Sequence, residues 1–399
     1  MSPINILIFE PYPFSLVSGN LRTLSYIIKF FDKTRFNLIL VTPFESEFTD
    51  KVVKQGFNCI VVKPPQRLMR YGGQCLNDSI WGKFLTLFNM IPYNWVLMNI
   101  IREKKIDVIY CNCIRAVLSI ALAAKLSRIP MMLYIKGELQ NRILDPIGFF
   151  LSDKILFFCE ANKNDKYPNL IKKYKKKIGL LKIGLNLETI VDIEKRDKTT
   201  LSHQLSIAPN RINIAYSGLL TPLKGVHYLL DAMSLIVKAF PEVMLYIIGD
   251  CVIDEHQNYK DTLFDLIEKN NLKNHVTFTG WRTDALDVVS LMDILVHPSL
   301  SEGFGRAVLE AMALGKAVVA SKVGGLREII KDGENGFLVE PQNAEHLAQK
   351  LCDLLKDREL IGKIGRAARE TVFSEYSIQD KVKQLEEMWS EMASVGIST

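Results

Sequence analysis

The residues best placed to do chemistry fall in one stretch, His297-Pro298-Ser299-Leu300-Ser301-Glu302-Gly303-Phe304-Gly305-Arg306-Ala307-Val308-Leu309-Glu310. An apolar run ends at His297, a short loop carries two glycines, and a helical pattern begins near Arg306. Gly303 and Gly305 let the backbone come close to a ligand and take up φ > 0. The helix start offers free N–H groups and the positive end of the helix dipole, which together make an anion site, and Arg306 adds charge there. Glu302 precedes the glycines and Glu310 lies about one turn into the helix. With a diphosphate on the helix start, one carboxylate reaches each side. Vicinal hydroxyls of a sugar or a ribose are good donors to such carboxylates. Taken by itself, a Glu-Gly-x-Gly segment is equally a Gly-rich lead-in whose Glu complements the helix dipole, so the neighbouring loops decide its weight.

Two further loops match it in kind. Ser217-Gly218-Leu219-Leu220-Thr221-Pro222-Leu223 follows an apolar run, and Lys224-Gly225 opens the next helical pattern. A lysine at such a junction is a point-charge partner for phosphate; alone, it is as well explained by solvation. Leu16-Val17-Ser18-Gly19-Asn20 follows the first apolar run, and Gly19 there begins a helix and can face a phosphate.

The elements that hold these loops alternate. In the first half the strand patterns are 4–9, 37–41, 58–62, 107–111, 131–135 and 154–158, with helices at 21–31, 95–103 and 116–127. In the second half the strands are 212–216, 244–248, 276–279, 294–297 and 317–320, with helices at 226–240, 258–270, 306–314 and 344–356, and a final amphipathic helix at 378–392. Alternation of this kind means βαβ units and parallel sheets. The expectation is an α/β protein of two Rossmann-like domains facing across a cleft: 1–195, 205–375, and a C-terminal helix, 376–399, able to cross back to the first domain. A polar stretch places the linker near 192–209. In open α/β sheets ligands bind beyond the carboxyl ends of the strands, so the strand-to-helix loops should carry function.

The bulk numbers agree with this. A chain of 399 residues, 48% hydrophobic and 24% charged, has an ordinary globular composition and can bury a large core. A net charge of +6 suits an anionic small molecule or an acidic membrane surface and is weak support for nucleic acid. Seven scattered cysteines, an odd number, argue against a disulfide framework and for a reducing compartment. No basic segment of leader type precedes the first strand, and no 18-residue stretch lacks polar interruption, so a soluble or peripheral, cytoplasmic protein is expected, placed at the inner face of a membrane if it is peripheral.

The motif Ser299-x-x-Glu302-Gly-Phe-Gly-x-x-x-Leu309-Glu310-Ala-Met, followed by Gly315-Lys-Ala-Val-Val-Ala-Ser and Val323-Gly324-Gly325-x-x-Glu328-Ile329, resembles the group 1 (GT4-like) retaining glycosyltransferases of the GT-B fold, including their Glu-x7-Glu signature. The likeness is specific over 212–356 and looser before 194, where strand order and Gly19 carry it. It implies that Glu302 contacts the transferred hexose and Glu310 the nucleotide ribose. Backbone groups of Gly303, Phe304 and Gly305 would hold hexose and phosphate, and Lys224 would neutralise the leaving diphosphate. Trp281 and Arg282, after Thr279-Gly280, become candidates for the donor base, and Gly218 and Gly19 for the phosphates. The family commonly has Arg where this chain has Leu219, and His-Gly where it has Lys136-Gly137, with Arg306 a partial replacement for the missing cation.

The implied function is transfer of a hexose-type sugar from a nucleotide sugar, UDP by family habit, to a saccharide or lipid-linked saccharide in cell-surface polysaccharide biosynthesis. The alternative is a degenerate protein that binds a nucleotide sugar or a partner without turnover. All six histidines lie at or beyond His203, so no first-domain histidine can act as an acceptor base; Glu138 and Asp145 are the carboxylates left for that task. This favours the retaining route, with the donor phosphate taking the acceptor proton. No Asp-x-Asp pair occurs, and no metal or other cofactor is expected. The acceptor side should be the first domain. There Trp81, Phe84, Phe88, Met90, Tyr93, Trp95 and Met98, with Arg67, Arg70, Lys83 and the five lysines of 172–177, suit peripheral membrane contact. The same aromatics read equally as core and the lysines as solvated.

Overall fold

A computed structural model describes residues 2–11, 19–66, 78–136, 141–164, 168–208, 210–251 and 257–396. The chain forms two compact units, Met1–Gly184 with Ile378–Thr399, and Leu185–Ser377.

The first unit holds a seven-stranded sheet of β1 (Ile4–Phe9), β2 (Phe36–Thr42), β3 (Asn58–Val61), β4 (Val108–Cys111), β5 (Met131–Ile135), β6 (Lys154–Phe157) and β7 (Ile178–Leu180). The order is β3-β2-β1-β4-β5-β6-β7, every pair parallel. Its central strands are apolar at successive positions because both faces are covered. One face packs under helices Ile80–Glu103, Ile114–Ser127 and Leu144–Leu151, whose Leu97, Ile101, Val117, Ile120 and Phe149 meet Leu7, Ile109 and Leu133. On the other face the last helix, Ile378–Gly396, returns to this sheet. It buries Trp389 against Phe36 and Tyr110, with ring centroids 5.8 and 5.7 Å apart, and Glu386 accepts a 2.6 Å bond from the Asp32 N–H.

The second unit holds β8 (Asn213–Ser217), β9 (Met244–Ile248), β10 (Val276–Gly280), β11 (Ile294–His297), β12 (Ala317–Ser321) and β13 (Phe337–Val339), ordered β10-β9-β8-β11-β12-β13 and again all parallel. In each sheet the chain builds outward from a central strand, then jumps back beside it: between β1 and β4 in the first, between β8 and β11 in the second.

The division between units falls at Gly184–Leu185, ahead of the expected linker at 192–209. The polar stretch after it forms the helix Leu187–Lys195, which buries Ile190 and Ile193 against helices Ala285–Ser290 and Arg306–Ala313. Arg196 then pairs with Asp287 at 2.9 Å. The helix expected from residue 95 begins at Ile80 and runs through Pro92. Helix Arg358–Glu375 and the short edge strands β7 and β13 have no counterpart in the sequence reading. Among the described residues no helix is long and apolar enough to cross a membrane.

Candidate active site

The two loops singled out in the second half leave β8 and β11, the strands that flank the reversal of strand order. A crevice opens beyond the carboxyl ends of such a pair, because the connections run away to opposite faces. The β8 loop passes Gly218, forms a 3-10 turn at Pro222–Lys224, and enters helix Val226–Ile236. The β11 loop passes buried Ser299 and enters helix Arg306–Ala313. The Leu300 N–H donates to the Leu223 carbonyl at 2.8 Å, so the loops are joined through backbone.

Their meeting brings charge together. One oxygen of Glu302, Oε2, accepts from Lys224 Nζ at 2.6 Å and from His297 Nε2 at 2.6 Å. A carboxylate only accepts, so Nε2 carries the proton it shares. Ser299 Oγ lies 3.1 Å from the same nitrogen, and the imidazole stacks on Tyr216 at 6.3 Å. His297 Nδ1 is buried without a partner among the described residues. The side chains of Lys224 and Glu302 are 25% and 13% exposed, so this pair is screened far less than a surface ion pair. Burial alone would push the Glu302 carboxyl up. Hydrogen bonding and attraction from His297, then from Lys224, outweigh it and hold the group at about 2. Glu302 is therefore an anion across the physiological range, with Oε2 doubly engaged. Oε1 has no hydrogen-bond partner among the described residues.

A second layer of backbone fixes this loop. Gly325 N–H donates to the Gly303 carbonyl at 3.0 Å. Gly324, at φ +48°, lies so close that a Cβ would sit 1.7 Å from the Glu302 carbonyl oxygen; only glycine fits. Gly305 precedes the helix at φ +89°, as its role at a helix start required, and Leu326 fills the space a side chain would need. Phe304 points into the core, against Tyr376 at 6.0 Å, leaving its backbone to the loop. Arg306 and Glu310, both half-buried, lie on the first and second turns of the helix.

The neighbouring strand ends extend the surface. After β8, Tyr216 Oη donates to the Leu219 carbonyl at 2.7 Å. After β9, Asp250 takes Lys260 at 2.8 Å, and its hydrogen bond from Lys260 holds it below the usual carboxylate range. After β10, Trp281 is exposed, while Arg282 grips Asp284 through two nitrogens at 2.8 and 2.7 Å. The guanidinium edge is thus committed to Asp284, and the open aromatic face is that of Trp281.

The first unit has its own polar chain at its strand reversal. Glu10, Asn112 and Lys136 follow β1, β4 and β5. Asn112 donates to Glu10 at 2.9 Å and accepts from Lys136 at 2.8 Å, with Glu10 and Asn112 buried. Gly19 is the first residue of helix Gly19–Phe30. Asp145 is buried and accepts from the Asn141 N–H at 2.9 Å. Glu138, Arg67 and Arg70 lie outside the described residues. Trp81, Phe88 and Trp95 are exposed, while Tyr93 and Met98 belong to the core, the other reading the sequence left open for this cluster. Among the described residues no group of three or more His, Cys, Asp or Glu could hold a metal ion.

Sequence reasoning found Glu302 and Lys224 but assigned nothing to His297, Gly324, Glu10 or Asn112. The signal for His297 was its place at the strand end that starts the Glu302 loop. For the others, residues from distant loops meet only in the fold.

The family model for glycosyl transferases group 1 matches residues 197–371. An uncharacterised glycosyltransferase of Methanocaldococcus jannaschii is 31% identical over 306 residues, covering 72% of this chain and 76% of that protein. CapM of Staphylococcus aureus, a capsular polysaccharide biosynthesis glycosyltransferase, is 24% identical over 344 residues, covering 83% of this chain and 89% of its own. Among solved structures, HepE of Anabaena in complex with UDP superposes with a TM-score of 0.77 at 22% identity, over 98% of this chain and all 100% of that one.

Proposed function

The chain belongs to the group 1 glycosyltransferases and has the GT-B architecture of two parallel α/β domains, and on that premise we propose that it transfers a hexose-type sugar from a UDP-sugar, with retention at C1, to a saccharide or lipid-linked saccharide of a cell-surface polysaccharide. The observation that carries this reading is the Lys224–Glu302–His297 cluster at the strand reversal.

In this reading Glu302 is held as an anion by two donors on Oε2, which leaves Oε1 to accept from a hexose hydroxyl. Lys224 has three N–H bonds, one given to Glu302, and the others meet the diphosphate. The N–H groups after Gly305, with Arg306, take its remaining charge. Glu310 accepts from the ribose hydroxyls, the base lies along Trp281 and Arg282, and Gly218 is a candidate for the phosphates. Gly19, which opens the first helix of the first unit, is a further candidate for the phosphates. In the reaction the bond from C1 to the phosphate oxygen breaks and a bond from the acceptor oxygen to C1 forms on the same face. The acceptor proton passes to the departing phosphate. The protein's main contribution is stabilising that leaving diphosphate, worth about 3 kcal/mol for each well-placed donor.

UDP as the donor nucleotide is supported by the UDP complex of HepE, and a polysaccharide acceptor by the name of CapM. The enzyme works as a cytoplasmic protein in peripheral contact with the membrane that carries its acceptor. The test is a screen of UDP-, GDP- and ADP-sugars by thermal shift and nucleotide release, for the wild type and Glu302→Ala, with the product anomer read by NMR. The expected result is stabilisation by a UDP-sugar, turnover lost in Glu302→Ala, and a retained anomer. An inverted product refutes the mechanism, and stabilisation by none of the donors refutes the donor site.

A further inference from the structure

The first unit carries a surface the transfer chemistry does not use. Helix Ile80–Glu103 buries Tyr93, Leu97, Met98 and Ile101 against the sheet, yet it exposes a second apolar stripe. Trp81, Leu85, Phe88 and Trp95 are spaced by four, three and seven residues, which places them on one side of the helix. The three aromatics are 77%, 62% and 61% exposed. The two helices beside it do the same. Helix Ile114–Ser127 exposes Leu122 and Leu126, four apart, and helix Leu144–Leu151 exposes Ile147 and Phe150, three apart. All three helices cover the same face of the sheet and pack side by side. Their exposed stripes therefore look outward together, as one apolar surface built from three elements.

Charge settles what covers it. Beyond Phe150 the chain carries Lys172, Lys173, Lys175 and Lys176, all exposed. This run is tied to the end of the third helix: Tyr174 packs on Phe149 at 6.0 Å, and Lys177 Nζ donates to the Ser152 carbonyl at 2.7 Å. An apolar surface with exposed tryptophans on its first helix and a lysine cluster at the end of its third fits the interface of an anionic bilayer, where aromatic rings enter the headgroup level and each lysine near the surface adds attraction. We propose that the outer face of these three helices is a docking site for an anionic lipid surface. The inference rests on reading the acceptor as lipid-linked, and it makes the membrane, rather than a soluble glycan pool, the place where acceptor is met.

The test uses the full chain and vesicles of phosphatidylcholine with or without phosphatidylglycerol. Wild-type protein is expected to co-sediment with the anionic vesicles at low salt, and to be released as salt rises. The variant Trp81→Ser/Phe88→Ser/Trp95→Ser should bind at least tenfold more weakly. Its melting temperature, and its further rise with UDP, should match the wild type, because the three side chains are exposed. Failure of the wild type to bind anionic vesicles, or equal binding by the variant, overturns the proposal. A wild-type dimer that the variant dissolves, without vesicle binding, assigns the face to a second copy instead. If UDP stabilises neither protein while vesicle binding holds, the donor reading fails and the docking face stands.

Discussion

Substituting Lys224→Met removes one of two donors from a single carboxylate oxygen and leaves Glu302 to His297 alone. Glu302 is held at about 2 against an ordinary 4.5. At about 1.4 kcal/mol per pKa unit, that depression corresponds to roughly 3 kcal/mol of stability. Its folded pKa is lowered, so this stability is fully present above 4.5 and is lost as pH falls through about 2. His297 supplies the larger share of the depression and Lys224 the rest, so the variant should be destabilised by about 1 kcal/mol at pH 7. The difference should then hold down to about pH 3 and shrink only as pH falls towards about 2, where Glu302 of the folded protein takes its proton and no longer needs the cation. Urea midpoints and slopes for both proteins from pH 7 down to about pH 2 measure this directly. A difference that stays constant over that range, or none at pH 7, refutes the view that Lys224 holds Glu302 as an anion. Turnover in the same variant should fall about a hundredfold or more, since the leaving diphosphate loses its lysine.

Two further outcomes follow from the site. Gly324→Ala places a methyl group against the Glu302 carbonyl at a φ that costs a non-glycine residue about 1 kcal/mol or more. Melting should drop by at least about 2 °C, and turnover should fall at temperatures where the variant is still folded; an unchanged melt would mean the loop yields freely. Nucleotide release from the donor should persist in EDTA, because the proposed site meets the diphosphate with Lys224 and the helix start after Gly305; a complete loss that added magnesium restores would count against that assignment.

Strand positions were legible because the sheet strands are short apolar runs buried on both faces, and runs such as Met131–Ile135 and Met244–Ile248 read the same way from sequence and structure. Helix Ile80–Glu103 was half lost for a physical reason. Its apolar residues lie on both the buried and the exposed sides, so no single helical stripe stands out, and Pro92 interrupts the pattern. Helix Leu187–Lys195 looked like a linker because only Ile190 and Ile193 commit it to a core. Glu302 and Lys224 could be named from loop chemistry, since glycine, proline and charge at a strand-to-helix turn have few uses. The shared oxygen between them could not, because 78 residues separate the pair and only the jump from β8 to β11 closes that distance.

The path of the chain has a consequence for how such a protein can change. The second unit begins and ends at one spot: Leu185 N–H bonds the Tyr376 carbonyl at 2.8 Å, and Leu185 bridges to Ser377. Gly184 and Ile378, the last and first residues of the first unit around that spot, are themselves in contact, with no room for a Cβ on Gly184. The second unit is thus an insert whose two ends are spliced side by side into the first, between β7 and the last helix. A cassette with paired ends can be replaced by another of the same kind without re-routing the chain. Recombination at these two junctions could therefore exchange the second unit while leaving in place the unit that carries the outer helices.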